Sequence, residues 1–383
     1  MKNLKKKIYR ELVRRSKKCI LFESSPDYSD NTMAVFREMV KRGMDRKYHL
    51  IWSLSDGTYA LYDKGVFRKV NPYKRDTLAD RLFNLSFANT CFIVYCNVNP
   101  NVFDPPPPSF YLSHGTAIKS IKNYYKEGES ATYCLSASEG VAHIASAEFK
   151  VAPERVVSLG FPRNDVLSSG REIKPLLGWG SDKLVIWYPT YRQRVDGKVF
   201  GGSVGIPIIN DAENARKLND FAASRHVRIL IKPHFVQNTN YITDQHLDHV
   251  VLVDESLFQK YGFSSYELLS GSDGLITDFS SVYYDYTLCD KPICAVWEDL
   301  EAYRADPGFA VDVDQMMSGA EKAFTLQDLE TFIGHVADGK DMLRDERRKI
   351  RDLTNYSTDG NNSKRVVDFI ESELGKRKQS VGR

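Results

Sequence analysis

Short apolar runs recur along the chain, each ending abruptly in polar residues and followed by a stretch with helical spacing. CILFES (Cys19–Ser24) is the first buried-strand pattern, and NTMAVFREMVKRG after it reads as a helix closed by Gly43. YHLIWSL (Tyr48–Leu54), the strand-then-helix text RKVNPYKRDTLADRLFNLSFAN, TCFIVYC (Thr90–Cys96), SFYLSHG, ATYCLSAS and RVVSLG continue the series. The proline run Pro105–Pro108 reads as a stiff surface loop. The second half repeats the style. KLVIWYPTYR (Lys183–Arg192) is a strand, a helix leads into RILIKPHF, and HVVLVD is a further strand. SSYELLSGSDGLITDFSSVYYDYTLCDKPICAV then reads helix, strand, helix, strand. Apolar runs alternating with helices argue a mostly parallel sheet covered on both faces. A Gly-rich break containing Pro175, at Leu167–Lys183, divides the pattern in two. The prediction is an α/β chain of two doubly wound, Rossmann-like domains with a cleft between them, residues 19–172 and 173–383, preceded by a segment 1–18. SKRVVDFIESELGKRKQ near the C-terminus reads as a helix counted with the second domain, and the pattern does not say where it docks.

The chain has 383 residues and a formal net charge of +3, so nothing global points to nucleic acid as a partner. Its six cysteines lack CxxC or metal-ligand spacing, which fits a reducing cytoplasm. No run reaches the roughly 18 apolar residues of a membrane span, and the N-terminus lacks the apolar core of a secretory signal. It begins instead MKNLKKKIYRELVRRSKK, where Leu4, Ile8, Leu12 and Val13 recur at helical spacing among lysines and arginines, and Glu11 is the sole acid. Such a helix either packs by its apolar edge on the first domain or lies on an anionic membrane, each cation then contributing about 1 kcal/mol near the surface.

In open α/β sheets ligands bind outside the carboxyl ends of strands. Five polar motifs fall there: SHGT (Ser113–Thr116), GFPRND (Gly160–Asp165), PTYR (Pro189–Arg192), KPHF (Lys232–Phe235) and TDFSS (Thr277–Ser281). Together they outline one cleft for an anionic ligand. His114 is either a general base beside that cleft or a structural histidine in a tight turn before Gly115. His234, close after Lys232, has the same two readings, the functional one being stabilisation of a leaving phosphate. Arg163 and Arg192 either clamp phosphate or pair with Asp165 and neighbouring acids. A GxxxxGK[ST] loop, a GxGxxG turn after the first strand and a GxSxG elbow are all absent from the sequence. VDVDQ (Val311–Gln315) has the letters of a metal-binding acidic pair but reads as a loop, so neither a metal nor a cofactor is expected.

SHGT, GFPRNDVL, YPTYR, IKPHF and TDFSSVYYDY, in this order, with the early YSDNTMAVFREM, resemble the CDP-glycerol glycerophosphotransferase family of teichoic-acid synthesis over roughly residues 20 to 370. The resemblance implies a GT-B fold with the active site between two domains. It implies transfer of a polyol phosphate from CDP-glycerol or CDP-ribitol to a hydroxyl of a lipid-linked saccharide or growing polymer, with CMP leaving. By motif match, His114 becomes the base for the acceptor hydroxyl, and His234 stands next to the donor phosphates. Arg163, Asp165 and Arg192 fall in the family's proline-arginine and proline-threonine motifs, and Ser280 and Ser281 at its donor diphosphate site. Lys232 and Thr277 complete the expected donor-binding set. Phe279 departs from a frequent Tyr and Phe235 from a frequent Pro. Within LITDFSSVYYDY, Leu275 and Ile276 are the buried strand, the two serines open a helix that can hold pyrophosphate, and Asp278 is expected to cap that helix. The implied location is the inner face of the cell membrane, reached through residues 1–18. Two other readings stand beside this one: a GT-B glycosyltransferase or epimerase using a UDP-sugar, and a non-catalytic binding module on the same fold.

Overall fold

The computed structural model describes residues 2–122, 128–190, 205–233, 239–253 and 255–381. In one sheet, β1 (Cys19–Glu23), β2 (His49–Ser53), β3 (Tyr59–Asp63), β4 (Val66–Val70), β5 (Thr90–Tyr95), β6 (Ser109–Tyr111), β7 (Tyr133–Ser136) and β8 (Val156–Ser158) lie in the order β4-β3-β2-β1-β5-β6-β7-β8. The other holds β9 (Lys183–Tyr188), β10 (Val227–Ile231), β11 (Val250–Leu252), β12 (Gly274–Thr277), β13 (Ile293–Val296) and β14 (Glu321–Ala323), ordered β11-β10-β9-β12-β13-β14. Every pair in this second sheet is parallel. Its strands are covered on both faces, which is why they read as continuous apolar runs rather than as alternation.

Each sheet has one point where the strand order reverses, between β1 and β5 and between β9 and β12. Loops leave such a point in opposite directions and open a crevice at the carboxyl ends of the strands. The two crevices meet. Ser281, after β12, donates its hydroxyl to the carbonyl of His114, after β6, at 3.2 Å. Beside this contact, Lys119 and Phe309 form an antiparallel backbone bridge between the two halves. One buried apolar cluster runs through both domains, from Phe22 and Trp52 by way of Phe161 to Phe279 and Tyr283.

Four details depart from the sequence pattern. The first sheet is mixed: β2, β3 and β4 are antiparallel, and β3 was not expected from the run of apolar residues. Lys64 and Gly65 join β3 to β4 with φ of 49° and 92°, the left-handed pair that a tight hairpin requires. The helix Asn362–Val381, counted with the second domain, crosses back onto the first. Phe369 packs on Phe110 and Tyr133, and Arg42 pairs with Asp368 and Glu371. In the proline run, Pro107 and Pro108 are buried, and the Pro108 carbonyl accepts from the Ile93 N–H. VDVDQ is not a loop: Asp312 caps the helix Val313–Met316 by accepting from the Gln315 N–H at 3.2 Å.

Candidate active site

The site is built around Asp30, the first residue of the helix Asp30–Lys41. Tyr28, Asp30 and, across the crevice, Ser113 have φ of 58°, 57° and 52°. Left-handed backbone at a non-glycine residue costs about 1–3 kcal/mol and persists where the surroundings impose it. Here it brings the Asp30 carboxylate between two partners. Oδ2 lies 2.9 Å from His114 Nδ1, and the carboxylate receives Arg163 Nη1 at 3.0 and 3.1 Å. Burial alone would raise the Asp30 carboxyl, but the Arg163 charge and the His114 bond outweigh it and hold it well below the usual carboxylate range.

An ionised Asp30 accepts from His114 Nδ1–H, which fixes the tautomer and leaves Nε2 with its lone pair. The Asn97 amide donates to Nε2 at 2.7 Å. Asn97 is itself set by β1, because Glu23 Oε2 receives its N–H at 3.0 Å. The imidazole is thus oriented from both sides and still 35% exposed. His114, Gly115, Thr190, Ser280 and Ser281 line a cavity of about 160 Å³. On the other side of Asp30 and Arg163 lies a cleft of about 870 Å³, bordered by Lys232, Phe258, Phe263 and Tyr266.

The sequence-predicted residues divide between these surroundings. His114, Ser280 and Ser281 share the smaller cavity. Lys232 borders the larger cleft, with Nζ 5.1 Å from the centre of the Phe258 ring. Arg163 is at the centre but only 10% exposed, held between Asp30 and Asp285. Asp165 faces away from Arg163, and its carboxylate receives the N–H groups of Asn362 and Ser363 at 2.7 and 2.8 Å, capping the last helix. Thr277 is fully buried and donates to the Tyr188 carbonyl, tying β12 to β9. Arg192 and His234 lie outside the described residues. Phe279, without the hydroxyl of a tyrosine, packs among Trp297, Tyr303 and Phe309.

Asp278 corrects the sequence expectation. Its carboxylate accepts the Thr190 N–H at 2.8 Å and the Thr190 hydroxyl, joining the loops after β12 and β9. The helix begins later, at Val282, with Ser281 as its N-cap and no side-chain cap bond. Asp30, Asn97, Tyr266 and Asp285 were not foreseen as site residues. Asp285 carried a signal, since an acid inside the apolar run VYYDY is rarely buried without a partner. Among the described residues no group of three or more His, Cys, Asp or Glu could hold a metal ion, and the six cysteines are free thiols.

The family profile for CDP-Glycerol:Poly(glycerophosphate) glycerophosphotransferase matches residues 7–372. A teichoic acid poly(glycerol phosphate) polymerase of Bacillus spizizenii is 26% identical, over 94% of this chain and 93% of its own. A teichoic acid glycerol-phosphate transferase of Staphylococcus aureus is 28% identical, over 79% of this chain and 80% of its own. Among solved structures, the wall teichoic acid polymerase TagF superposes with a TM-score of 0.70 at 21% identity, covering 96% of this chain and 93% of that one. A UDP-N-acetylglucosamine 2-epimerase from Listeria monocytogenes shares the architecture more distantly, with a TM-score of 0.57 at 13% identity, covering 94% of this chain and 97% of that one. With a family match that spans both domains and the crevice between them, the chain belongs to the CDP-glycerol:poly(glycerophosphate) glycerophosphotransferases.

Proposed function

We propose that the enzyme moves glycerol phosphate, or a related polyol phosphate such as ribitol phosphate, from its CDP-activated form to a hydroxyl of a lipid-linked saccharide or growing wall polymer. The observation that carries this reading is His114, held 2.9 Å from Asp30 and lining the same cavity as Ser280 and Ser281. His114 Nε2 takes the proton of the acceptor hydroxyl as its oxygen attacks the β-phosphorus, the one that bears the polyol. The bond to the bridging oxygen breaks and CMP leaves. Transfer of this kind needs positioning and charge stabilisation rather than a covalent intermediate. Ser280 and Ser281 are the donor-facing groups in that cavity, and Lys232, His234 and Arg192 join them on motif grounds. The relatives named above supply the substrate class. The test is nucleotide release by the purified chain offered CDP-glycerol, CDP-ribitol and UDP-N-acetylglucosamine. CMP from a CDP-polyol is expected. Turnover of the UDP-sugar alone would replace this reading with the sugar-nucleotide one, and no turnover of any donor would favour a binding module.

The same proposal includes the membrane surface on the cytoplasmic side. The first helix (Lys2–Arg15) does not bury its apolar edge: Leu4, Ile8 and Leu12 are 62%, 52% and 50% exposed. Leu78 and Leu82, on the neighbouring helix Leu78–Ala88, are exposed as well. Apolar residues rimmed by lysines and arginines suit the headgroup boundary of an anionic bilayer. Removing residues 2–15 is expected to abolish co-sedimentation with phosphatidylglycerol vesicles. Undiminished binding of the shortened chain would refute the membrane role. No helix among the described residues is long and apolar enough to cross a membrane.

A further inference from the structure

Asp285 stands in the short helix Val282–Tyr286 and is 2% exposed. A buried carboxylate is tolerated where donors surround it. Here three converge: Asn164 Nδ2 at 2.8 Å on Oδ1, and Arg163 Nη2 at 2.8 Å with the Tyr266 hydroxyl at 2.6 Å on Oδ2. Arg163 continues across the domain boundary. Its Nη1 holds both oxygens of Asp30, and its Nη2 also donates to the His114 carbonyl at 2.7 Å. Its backbone N–H donates to Asn31 Oδ1 at 3.0 Å, and the Asn31 amide in turn donates to the Ser113 carbonyl at 3.0 Å. The turn that carries His114 and the carboxylate that orients its ring therefore hang on one guanidinium, whose other anchor is Asp285 in the second domain. Packing leaves this joint no slack: a Cβ on Gly115 would lie 2.6 Å from Ser281 Oγ and 2.9 Å from Arg163 Nη2.

The guanidinium also has little left for a donor phosphate. Both terminal nitrogens are engaged, and the Tyr266 ring covers it, with Cζ 4.9 Å from the ring centre. A phosphate added beside Asp30 and Asp285 would set three anions on one cation. We propose that Asp285, with Tyr266, is a positioning residue: it clamps Arg163 so that Asp30 and the His114 turn stay aligned with the donor-facing serines, and Arg163 itself does not bind the donor. This inference rests on His114 being the base.

The experiment is steady-state kinetics of the full chain with CDP-glycerol and a soluble acceptor, comparing Asp285→Asn and Tyr266→Phe, each alone and combined with His114→Ala. Asp285→Asn is expected to lower kcat about 30- to 100-fold while the donor KM moves less than about threefold. Tyr266→Phe gives the same pattern at about 3- to 10-fold, because one hydroxyl is lost and the packing volume stays. In the His114→Ala background neither variant lowers the residual rate further, since both act through the missing imidazole. A donor KM raised about tenfold or more would place Arg163 on the donor and overturn the proposal. Multiplicative losses in the double variants, or an unchanged kcat in both single variants, would overturn it too. Failure of the base assignment appears separately, as full activity in His114→Ala alone. If Asp285→Asn does not fold, Tyr266→Phe decides by the same criteria.

Discussion

Replacing His114 with alanine is expected to lower CMP release by about 10²- to 10⁴-fold, the range of general base catalysis. The geometry says why the loss falls on turnover. Asp30 takes the Nδ1–H, so Nε2 carries the lone pair, and the imidazole lines the cavity it shares with Ser280 and Ser281. A hydroxyl entering there replaces the Asn97 amide as the partner of Nε2. Alanine removes the proposed proton acceptor and leaves Ser280 and Ser281 in place. The donor KM should therefore change far less than kcat. Circular dichroism of the variant checks that the fold survives, and a folded variant within about threefold of the parent rate would eliminate His114 as the base.

Arg163→Ala should produce the largest loss of stability in the molecule's site. It strands two carboxylates, Asp30 and Asp285, that now share one buried cation. Removing one partner of a buried ion pair costs about 3–5 kcal/mol, because the remaining charge stays desolvated. Arg163→Lys should recover little, since a point charge cannot reach Asp30, Asp285 and the His114 carbonyl together. The effect depends on pH. Asp30 is held below its ordinary carboxylate value, so it contributes stability that is present above that value and lost as the pH falls through the depressed range. The gap between parent and variant should narrow in acid, below about pH 4. Denaturant midpoints at neutral and acid pH measure this. Equal midpoints at neutral pH would mean that Arg163 carries no such load.

Much of this arrangement was readable before the structure. The central strands are covered on both faces, so their runs stood out, and the polar residues at their exits marked the crevice. The hairpin was harder, because β3 (YALYD) is short and mixed in polarity, and its signal was the single Lys64–Gly65 turn. Which strand exits meet was not readable, because that is decided by packing between the domains. Arg163 and Asp165 illustrate this: they are two residues apart, and one turns into the site while the other caps the helix at Asn362. Asp30 stood only as one letter of YSDNTMAVFREM with no role of its own, and its left-handed backbone and its distance to His114 give it one. Asp278 had the composition of a cap, but the neighbouring loop at Thr190 competes for its carboxylate and holds it.

The proposed reaction transfers a polyol phosphate to an acceptor rather than hydrolysing a nucleotide donor. The most direct measurement follows CMP release and acceptor growth in one reaction, with radiolabelled CDP-glycerol or CDP-ribitol and a lipid-linked saccharide acceptor. One polyol phosphate is expected in the acceptor for each CMP released, with both lost together in His114→Ala. CMP released with no label in the acceptor, or UDP released from a UDP-sugar in its place, would contradict it.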